Sequence, residues 1–411
     1  MATLQPVRGT HDLWPDETRR HRYVEDTAFR IAQLYGFGEI MTPIFEFTEV
    51  FARTLGETSD VVTKEMYTFT DRSGDSLTLR PEATAGIARA FVNNGQSLPR
   101  PIKLFYRGPM FRHERPQKGR LRQFHQIDAE IIGSDRPLAD VEAISLAWHV
   151  LSELGLGDKV TLELNSLGSQ KDRADYRDTL RAFLAGHANA LSEDSRMRLE
   201  KNPLRVLDSK DEGDRRILSD APDMSASMVE GKSFFDSVQA QLTALGIPFT
   251  INPKLVRGLD YYCHTVFEFT TTQLGAQGTV LAGGRYDGLI EEMGGPKTPG
   301  IGWAAGVERL AALLAADPAA PRAIAVIAPG DASKGLALAD RLRRAGFAIE
   351  LDHGGKIKNA LERAGKTKAR AAIILGEDEA KRGAVALRDL DAGNQEEVPL
   401  AELEARLARF R

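Results

Sequence analysis

A single cysteine, Cys263, stands among 411 residues. That excludes an intrachain disulfide framework and a zinc site built on several thiolates. No run of about 18 apolar residues occurs, so no membrane span is expected. The opening MATLQPVRGTHD lacks the charged start and apolar stretch of a secretory leader. Together these absences predict a cytoplasmic chain with no membrane partner. The Gly-x4-Gly-Lys-Ser/Thr phosphate loop is also missing, and neither Gly283-Gly284 nor Gly294-Gly295 has the spacing of a dinucleotide fingerprint. A nucleotide would therefore have to be held by side chains on a sheet surface. Eight histidines are scattered without His-x3-His or comparable spacing, so no metal centre is expected from a protein motif.

What is present is ordinary in amount and uneven in placement. Hydrophobic content of 42% and charged content of 27% suit a soluble globular chain of two or three domains. The net charge of −4 argues against a generally basic nucleic-acid coat. Residues 321–411 nevertheless carry 17 basic against 14 acidic side chains. A tail more basic than its body is a mild pointer to a polyanionic partner.

The most informative stretch is Leu104 to Gly133, LFYRGPMFRHERPQKGRLRQFHQIDAEIIG. It reads as two strands around a polycationic loop. Alternation sends Ile127, Ala129 and Ile131 to a core, and aligns Phe124, Gln126, Asp128 and Glu130 on the other face. The loop holds Arg115, Lys118, Arg120 and Arg122, broken by Pro116 and Gly119. A ring, fixed cations and aligned acceptors would suit a nucleotide and a small zwitterion. An exposed strand pair with a solvated charged face fits the same pattern.

Around it, Pro15 and Gly36 bracket a first helix, with Tyr23, Ala28, Ile31 and Leu34 as its apolar positions. GFGEIMTPIFEF follows as a β-rich run, in which Pro43 suits an edge or interface strand. Residues 48–56 predict a short helix, and 67–70 with 76–79 a hairpin. Helices are expected near 83–94 and 139–154, with a strand at 160–164. From about 169 to 245 charged helical segments dominate, which reads as an insertion flanked by sheet. Strands resume at 249–251, HTVFEFTT and QGTVLAGG, then a helix near 286–293, and GIGWAAGVERLAALLAA passes from strand or turn into a helix. DPAAP at 317–321 is the best linker. Beyond it strands and helices alternate, with helices at 333–345, 356–364, 377–382 and 400–409, predicting a small α/β domain.

Three further stretches carry chemistry. RPEAT places Glu82 and Thr84 just before a helix, where they could cap it or hold an ammonium group. LVRGLDYY mixes Arg257, Asp260, Tyr261 and Tyr262 around a glycine, and Arg and Asp are seldom buried unpaired. GIGWAAGVERL combines small residues, open to close approach by a ligand or by neighbouring backbone, with Glu308 and Arg309. Cys263 and His264, adjacent on a strand, should face opposite ways, which makes a nucleophile pair improbable.

The order of these pieces resembles a known family. A proline-bearing strand, then FRHE with its basic loop, then a glycine-rich ERL are similar to motifs 1, 2 and 3 of class II aminoacyl-tRNA synthetases. RGLDYY and AGGRYDGL resemble the signatures of the histidyl-tRNA synthetase family, and the resemblance runs from RGTHD through the tail. It implies an α+β fold: residues 1–320 as a class II catalytic domain, an antiparallel sheet flanked by helices with a helical insertion at about 169–245. Residues 321–411 would then form a C-terminal α/β anticodon-binding domain. It implies ATP-dependent ligation of L-histidine to tRNA(His) through a histidyl-adenylate, by a homodimer using ATP and Mg²⁺, with Pro43 at the dimer interface.

The same resemblance implies roles residue by residue. Arg112 and Arg309 would grip the ATP phosphates, Phe124 would stack on adenine, and Glu114 would lie near the nucleotide. Glu82 and Thr84, with Ala83 between them, would bind the amino group of histidine, and Gln126 would help place it. Glu130 and Tyr262 would bond the imidazole beside Tyr261. Arg257 would be the catalytic cation on the α-phosphate. Arg115, Lys118, Arg120 and Arg122 would face the tRNA end, and Lys356, Lys358, Lys366, Lys368 and Arg370 would form an anticodon-side patch. Ala83 departs from a common glycine, and Cys263-His264 from a more usual Asn-Arg pair. The competing reading is a catalytically inactive paralogue that serves as regulatory subunit of ATP phosphoribosyltransferase. Such paralogues usually lack the tail domain and erode the arginines and tyrosines kept here.

Overall fold

A computed structural model gives the three-dimensional structure, describing residues 3–56, 59, 61–116, 119–224, 228–256, 261–275, 278–329 and 331–410. The chain divides into two compact units, Met1–Pro318 and Ala319–Arg411. Eleven strands of the first unit are described in chain order. They are β1 (Gly38–Glu39), β2 (Phe45–Phe47), β3 (Tyr67–Thr70), β4 (Ser76–Leu79), β5 (Ile102–Phe111), β6 (Gln123–Ile132), β7 (Thr161–Ser166), β8 (Thr250–Ile251), β9 (Cys263–Thr270), β10 (Thr279–Arg285) and β11 (Gly300–Gly306).

Eight of them make one sheet in the order β1-β5-β6-β11-β10-β9-β7-β8, while β2, β4 and β3 form a small separate sheet. The large sheet is antiparallel except at its margins, where β1 runs parallel to β5 and β8 to β7. The hairpin read from the sequence is its longest ladder, ten rungs from Ile102↔Ile132 to Phe111↔Gln123. Ile127, Ala129 and Ile131 enter a core shared with the helices Pro15–Leu34, Pro137–Glu153, Lys232–Ala244 and Val307–Leu313.

The opposite face is not solvated. A second cluster, including Ile87, Tyr106, Tyr261, Tyr262 and Tyr286, covers it, and Asp128 and Glu130 are each only 1% exposed. The exposed-pair reading is thereby corrected. Of the polar side chains on this face, Gln126 and Glu130 line an internal cavity, while Asp128 is buried outside its lining.

The first helix spans Pro15–Leu34, and at its start Glu17 Oε2 accepts from Trp14 N at 3.1 Å. Gly36 takes φ +79° just past its end, the left-handed conformation that glycine adopts at least cost. Its buried stripe is Val24, Ala28, Ile31 and Ala32, whereas Tyr23 and Leu34 are exposed. The expected stripe was therefore rotated: positions 24, 28, 31 and 32 follow the helical period better than 23 and 34 do. The β-rich run breaks into β1 and β2, and Pro43 lies exposed between them. Helix Thr84–Ala90 gives way to a wider turn over Phe91–Gly95.

The expected insertion is helical: Gln170–Ala185, Glu193–Lys201 and Glu212–Leu218 pack around Leu180, Leu184 and Val206. In β9 the simple alternation at Cys263-His264 fails. His264 has φ +45°, and the register with β10 jumps from Gly284↔Val266 to Arg285↔Cys263. This bulge seats the His264 ring 5.0 Å from Phe234.

In the second unit β12 (Ile324–Ile327), β13 (Ile349–Leu351), β14 (Ala371–Ile374), β15 (Ala384–Asp389) and β16 (Gln395–Pro399) form a sheet ordered β13-β12-β14-β15-β16. Strand β16 has no counterpart in the sequence reading. It is an edge strand, QEEVP, with only Val398 buried, and such charged edges resist pairing with other chains while erasing apolar alternation. The last helix, Leu403–Leu407, is correspondingly shorter than expected.

Candidate active site

One cavity opens over β6, β10 and β11. Its deep end is built on Glu130. Thr84 Oγ1 donates to Glu130 Oε1 at 2.6 Å, and Tyr286 OH donates to Oε2 at 2.6 Å. Gly302 pairs with Glu130 across the ladder, and a Cβ at position 302 would overlap the carboxylate. Only glycine leaves room there. Burial pushes the Glu130 pKa up to about 8, against the pull of the two hydroxyls, with neighbouring Glu82 adding to the rise.

Glu82 serves the backbone in this structure. Its Oε1 accepts from Ala85 N at 2.7 Å and its Oε2 from Thr84 N at 3.1 Å. Glu82 thus takes the capping role read from RPEAT while still lining the cavity, whereas the Thr84 hydroxyl goes to Glu130 and does not cap the helix. Burial raises its pKa, while the Ala85 amide and Arg112 hold it down. Tyr261 OH reaches Glu82 Oε2 at 3.5 Å, and the Tyr261 and Tyr262 rings lie 4.5 Å apart. Ala83 is buried in the apolar cluster behind them and does not line the cavity.

The wider end is cationic. Arg112 lies 5.3 Å over the Phe124 ring and donates through Nε to Pro81 O at 2.8 Å. Arg309 donates through Nε to Gly119 O at 3.1 Å and through Nη1 to Thr279 O at 2.6 Å. Glu114 pairs with Arg120 at 3.0 Å. Between the two ends, Gln126 has an Oε1 with no hydrogen-bond partner among the described residues.

Two family models match the chain: Histidyl-tRNA synthetase over residues 9–310 and Anticodon binding domain over 323–409. The chain belongs to the histidyl-tRNA synthetase family. Histidine--tRNA ligase of Rhodospirillum rubrum is 62% identical over 414 residues, spanning all of both chains. The Gluconobacter oxydans enzyme of the same name is 55% identical over 406 residues, 98% of each chain. The solved structure of apo S. aureus histidyl-tRNA synthetase matches with a TM-score of 0.83 at 32% identity, covering 98% of this chain and 99% of that one. A Bacillus halodurans protein titled ATP phosphoribosyltransferase regulatory subunit/histidyl-tRNA synthetase matches at TM-score 0.68 and 21% identity, covering 92% of this chain and 99% of that one, a likeness of fold alone.

In this family member the cavity gathers Glu82, Thr84, Arg112, Glu114, Phe124, Gln126, Glu130, Tyr261, Tyr262 and Arg309, all singled out from the sequence. Arg257 and Lys118 lie outside the described residues. The basic loop divides: Arg120 lines the cavity, Arg115 is exposed, and Arg122 packs on Gly9 and donates to Glu114 O at 3.3 Å. Tyr286 and Glu308 are cavity residues to which sequence reasoning gave no role. Tyr286 lies within AGGRYDGL, so its motif was visible but its partner was not. The preceding Arg285 is fully buried against Asp140 and Asp287 and anchors that segment.

Proposed function

We propose that this histidine--tRNA ligase runs both of its half-reactions in the cavity over β6, β10 and β11. The observation that carries the reading is the Glu130 carboxylate, held by Thr84 and Tyr286 at the closed end, with Arg112 and Arg309 at the other. The imidazole of L-histidine would meet Glu130 and Tyr262 beside Tyr261, and its ammonium group would meet Glu82 and Thr84, with Gln126 between. A site built to hydrogen-bond a ring N–H rejects isosteres that lack it by up to about 10⁴–10⁵.

ATP would lie with adenine on Phe124 and its phosphates toward Arg112 and Arg309. The carboxylate of histidine displaces pyrophosphate from the α-phosphorus, so two anions must meet. Positioning and fixed cations supply most of the catalysis for such a step. Arg257 is proposed as the cation on the α-phosphate. Mg²⁺, when bound, would neutralise phosphate charge; the Glu114 carboxylate, paired with Arg120 in this structure, would hold it on leaving that pair. The terminal ribose hydroxyl of tRNA(His) then attacks the carbonyl carbon of the adenylate, forming the ester as the acyl–phosphate bond breaks and AMP leaves. Exposed Arg115 supports a phosphate contact from the loop, together with Lys118 and Arg122, while the Glu114 pairing of Arg120 favours a place nearer the nucleotide.

The second unit is proposed to read the anticodon, with exposed Lys356, Lys358, Lys366 and Lys368 beside Arg370. The small sheet supports a homodimer: Met41 is 80% exposed and Phe47 58%, with Ile44, Phe45 and Phe69 also open. Large apolar side chains left open on and beside one small sheet are what such an interface would cover. No helix among the described residues is long and apolar enough to cross a membrane, and we place the enzyme in the cytoplasm.

The purified chain should catalyse histidine-dependent exchange of labelled pyrophosphate into ATP. Exchange with another amino acid, or stimulation of a phosphoribosyltransferase without exchange, would overturn the reading.

A further inference from the structure

Strand β11 leaves the sheet at Gly306, whose rung with Gln126 is the last of its ladder with β6. The chain then turns into helix Val307–Leu313. One residue beyond that rung, the amide of His125 has lost its main-chain partner. Glu308 replaces it. His125 N donates to Glu308 Oε1 at 2.9 Å and Oε2 at 3.0 Å, and His125 Nδ1 lies 2.8 Å from Oε1. A side chain on the first helical turn thus continues the ladder, and its charge suits that end of a helix. His21, from the first helix, packs its ring edge-on to His125 at 5.5 Å. Ligand atoms of His21, His125 and Glu308 lie within 4.8 Å of one another, but two of the three groups are already bonded to each other, so the trio reads as a packed latch.

The placement of this latch matters. His125 is flanked by Phe124 and Gln126, and Glu308 immediately precedes Arg309; Phe124, Gln126 and Arg309 all line the cavity. Strand β6 is fixed on its other side by ten rungs to β5. The helix carrying Arg309 is seven residues long. If the latch opens, the short helix rather than the strand should move. We propose that Glu308 and His125 are positioning residues that set the distance between Arg309 and the Phe124 ring, and so act on the nucleotide half of the site while sparing the histidine half. This rests on the assignment of Arg309 and Phe124 to ATP.

The test compares Glu308→Ala and His125→Leu, which remove one partner, with Glu308→Gln and His125→Asn, which keep an acceptor or a donor near the same place. Pyrophosphate exchange gives kcat and KM for ATP, calorimetry gives the histidine Kd without nucleotide, and a melting curve reports stability. A misplacement near 1 Å can cost about 100-fold in rate. The expected result for the two disruptive variants is a 10- to 100-fold loss in kcat/KM for ATP, on the order of what such misplacement costs. Their histidine Kd should change less than about twofold, and the conservative variants should recover most of the loss. Wild-type-like exchange in Glu308→Ala and His125→Leu would overturn the latch. So would a histidine affinity and a melting point that fall in step with activity. Wild-type protein that shows no histidine-dependent exchange refutes the functional reading instead, and ATP Kd then decides the latch, since it must still weaken in Glu308→Ala.

Discussion

Gly302 lies directly beneath the Glu130 carboxylate, with no space between them for a methyl group. Gly302→Ala should therefore displace Glu130 from Thr84 and Tyr286. Overpacking of this kind costs about 1–3 kcal/mol, so kcat/KM for histidine should drop about tenfold to a hundredfold while ATP binding persists. Gly365→Ala, where a Cβ meets open space, is the control. Unchanged histidine kinetics in Gly302→Ala would remove Glu130 from the pocket.

Tyr286→Phe deletes one of the two hydroxyls on Glu130 and leaves Oε2 buried without its partner. The penalty for such an orphaned acceptor is about 1–3 kcal/mol. The histidine KM should rise accordingly, by roughly tenfold or more, with the ATP KM steady. Steady-state exchange kinetics with each substrate varied in turn decide it; a loss confined to ATP would refute the prediction.

Histidine binding should depend on pH in a defined window. With its pKa near 8, Glu130 is mostly protonated in the empty site at neutral pH, whereas a free imidazole loses its proton at about pH 6.5. Between those values a protonated Glu130 meets a neutral ring, and the pair already holds the one proton it shares. Histidine Kd should be flat there, with proton release on binding at lower pH and uptake at higher pH. Because the folded pKa is raised above the ordinary 4.5, this group's contribution to stability is full below pH 4.5 and is lost as pH climbs through 8. Calorimetry in buffers of different ionisation enthalpy measures both arms; a Kd that changes steadily across the window contradicts the shared proton.

Phe47→Asp, on the exposed face of the small sheet, should convert a dimer to monomers and abolish most exchange activity, without lowering the melting point of the monomeric unit. Sedimentation velocity reads the mass directly. A wild-type chain that sediments as a monomer at micromolar concentration would eliminate this interface.

The sequence made the second arm of the long hairpin legible because residue type alternates without a break from Gln126 to Ile131, and the face of Gln126 and Glu130 followed from that period. It made Glu82 and Thr84 legible as neighbours of a helix start. Tyr286 was hidden because its partner Glu130 is 156 residues away, a pairing that only β10 and β11 bring about. Glu308 was hidden because a glutamate in a first helical turn looks like ordinary dipole compensation. The rotated stripe of the first helix had a different cause. Tyr23 and Leu34 are apolar but exposed, while His21, Glu25 and Thr27 are buried, so composition pointed to the wrong side.

The β6–β11 ladder also sets when the site comes into being. Glu82, Glu130, Tyr286 and Gly302 converge only after rungs spanning more than 150 residues have closed, and such distant pairing forms slowly compared with local structure. A nascent chain released before β11 has left the ribosome would already contain the whole basic loop but no closed pocket for a substrate ring. The order of synthesis thus delivers Glu82, Glu130 and the basic loop early, and Tyr286, Gly302 and Arg309, which complete the cavity, last.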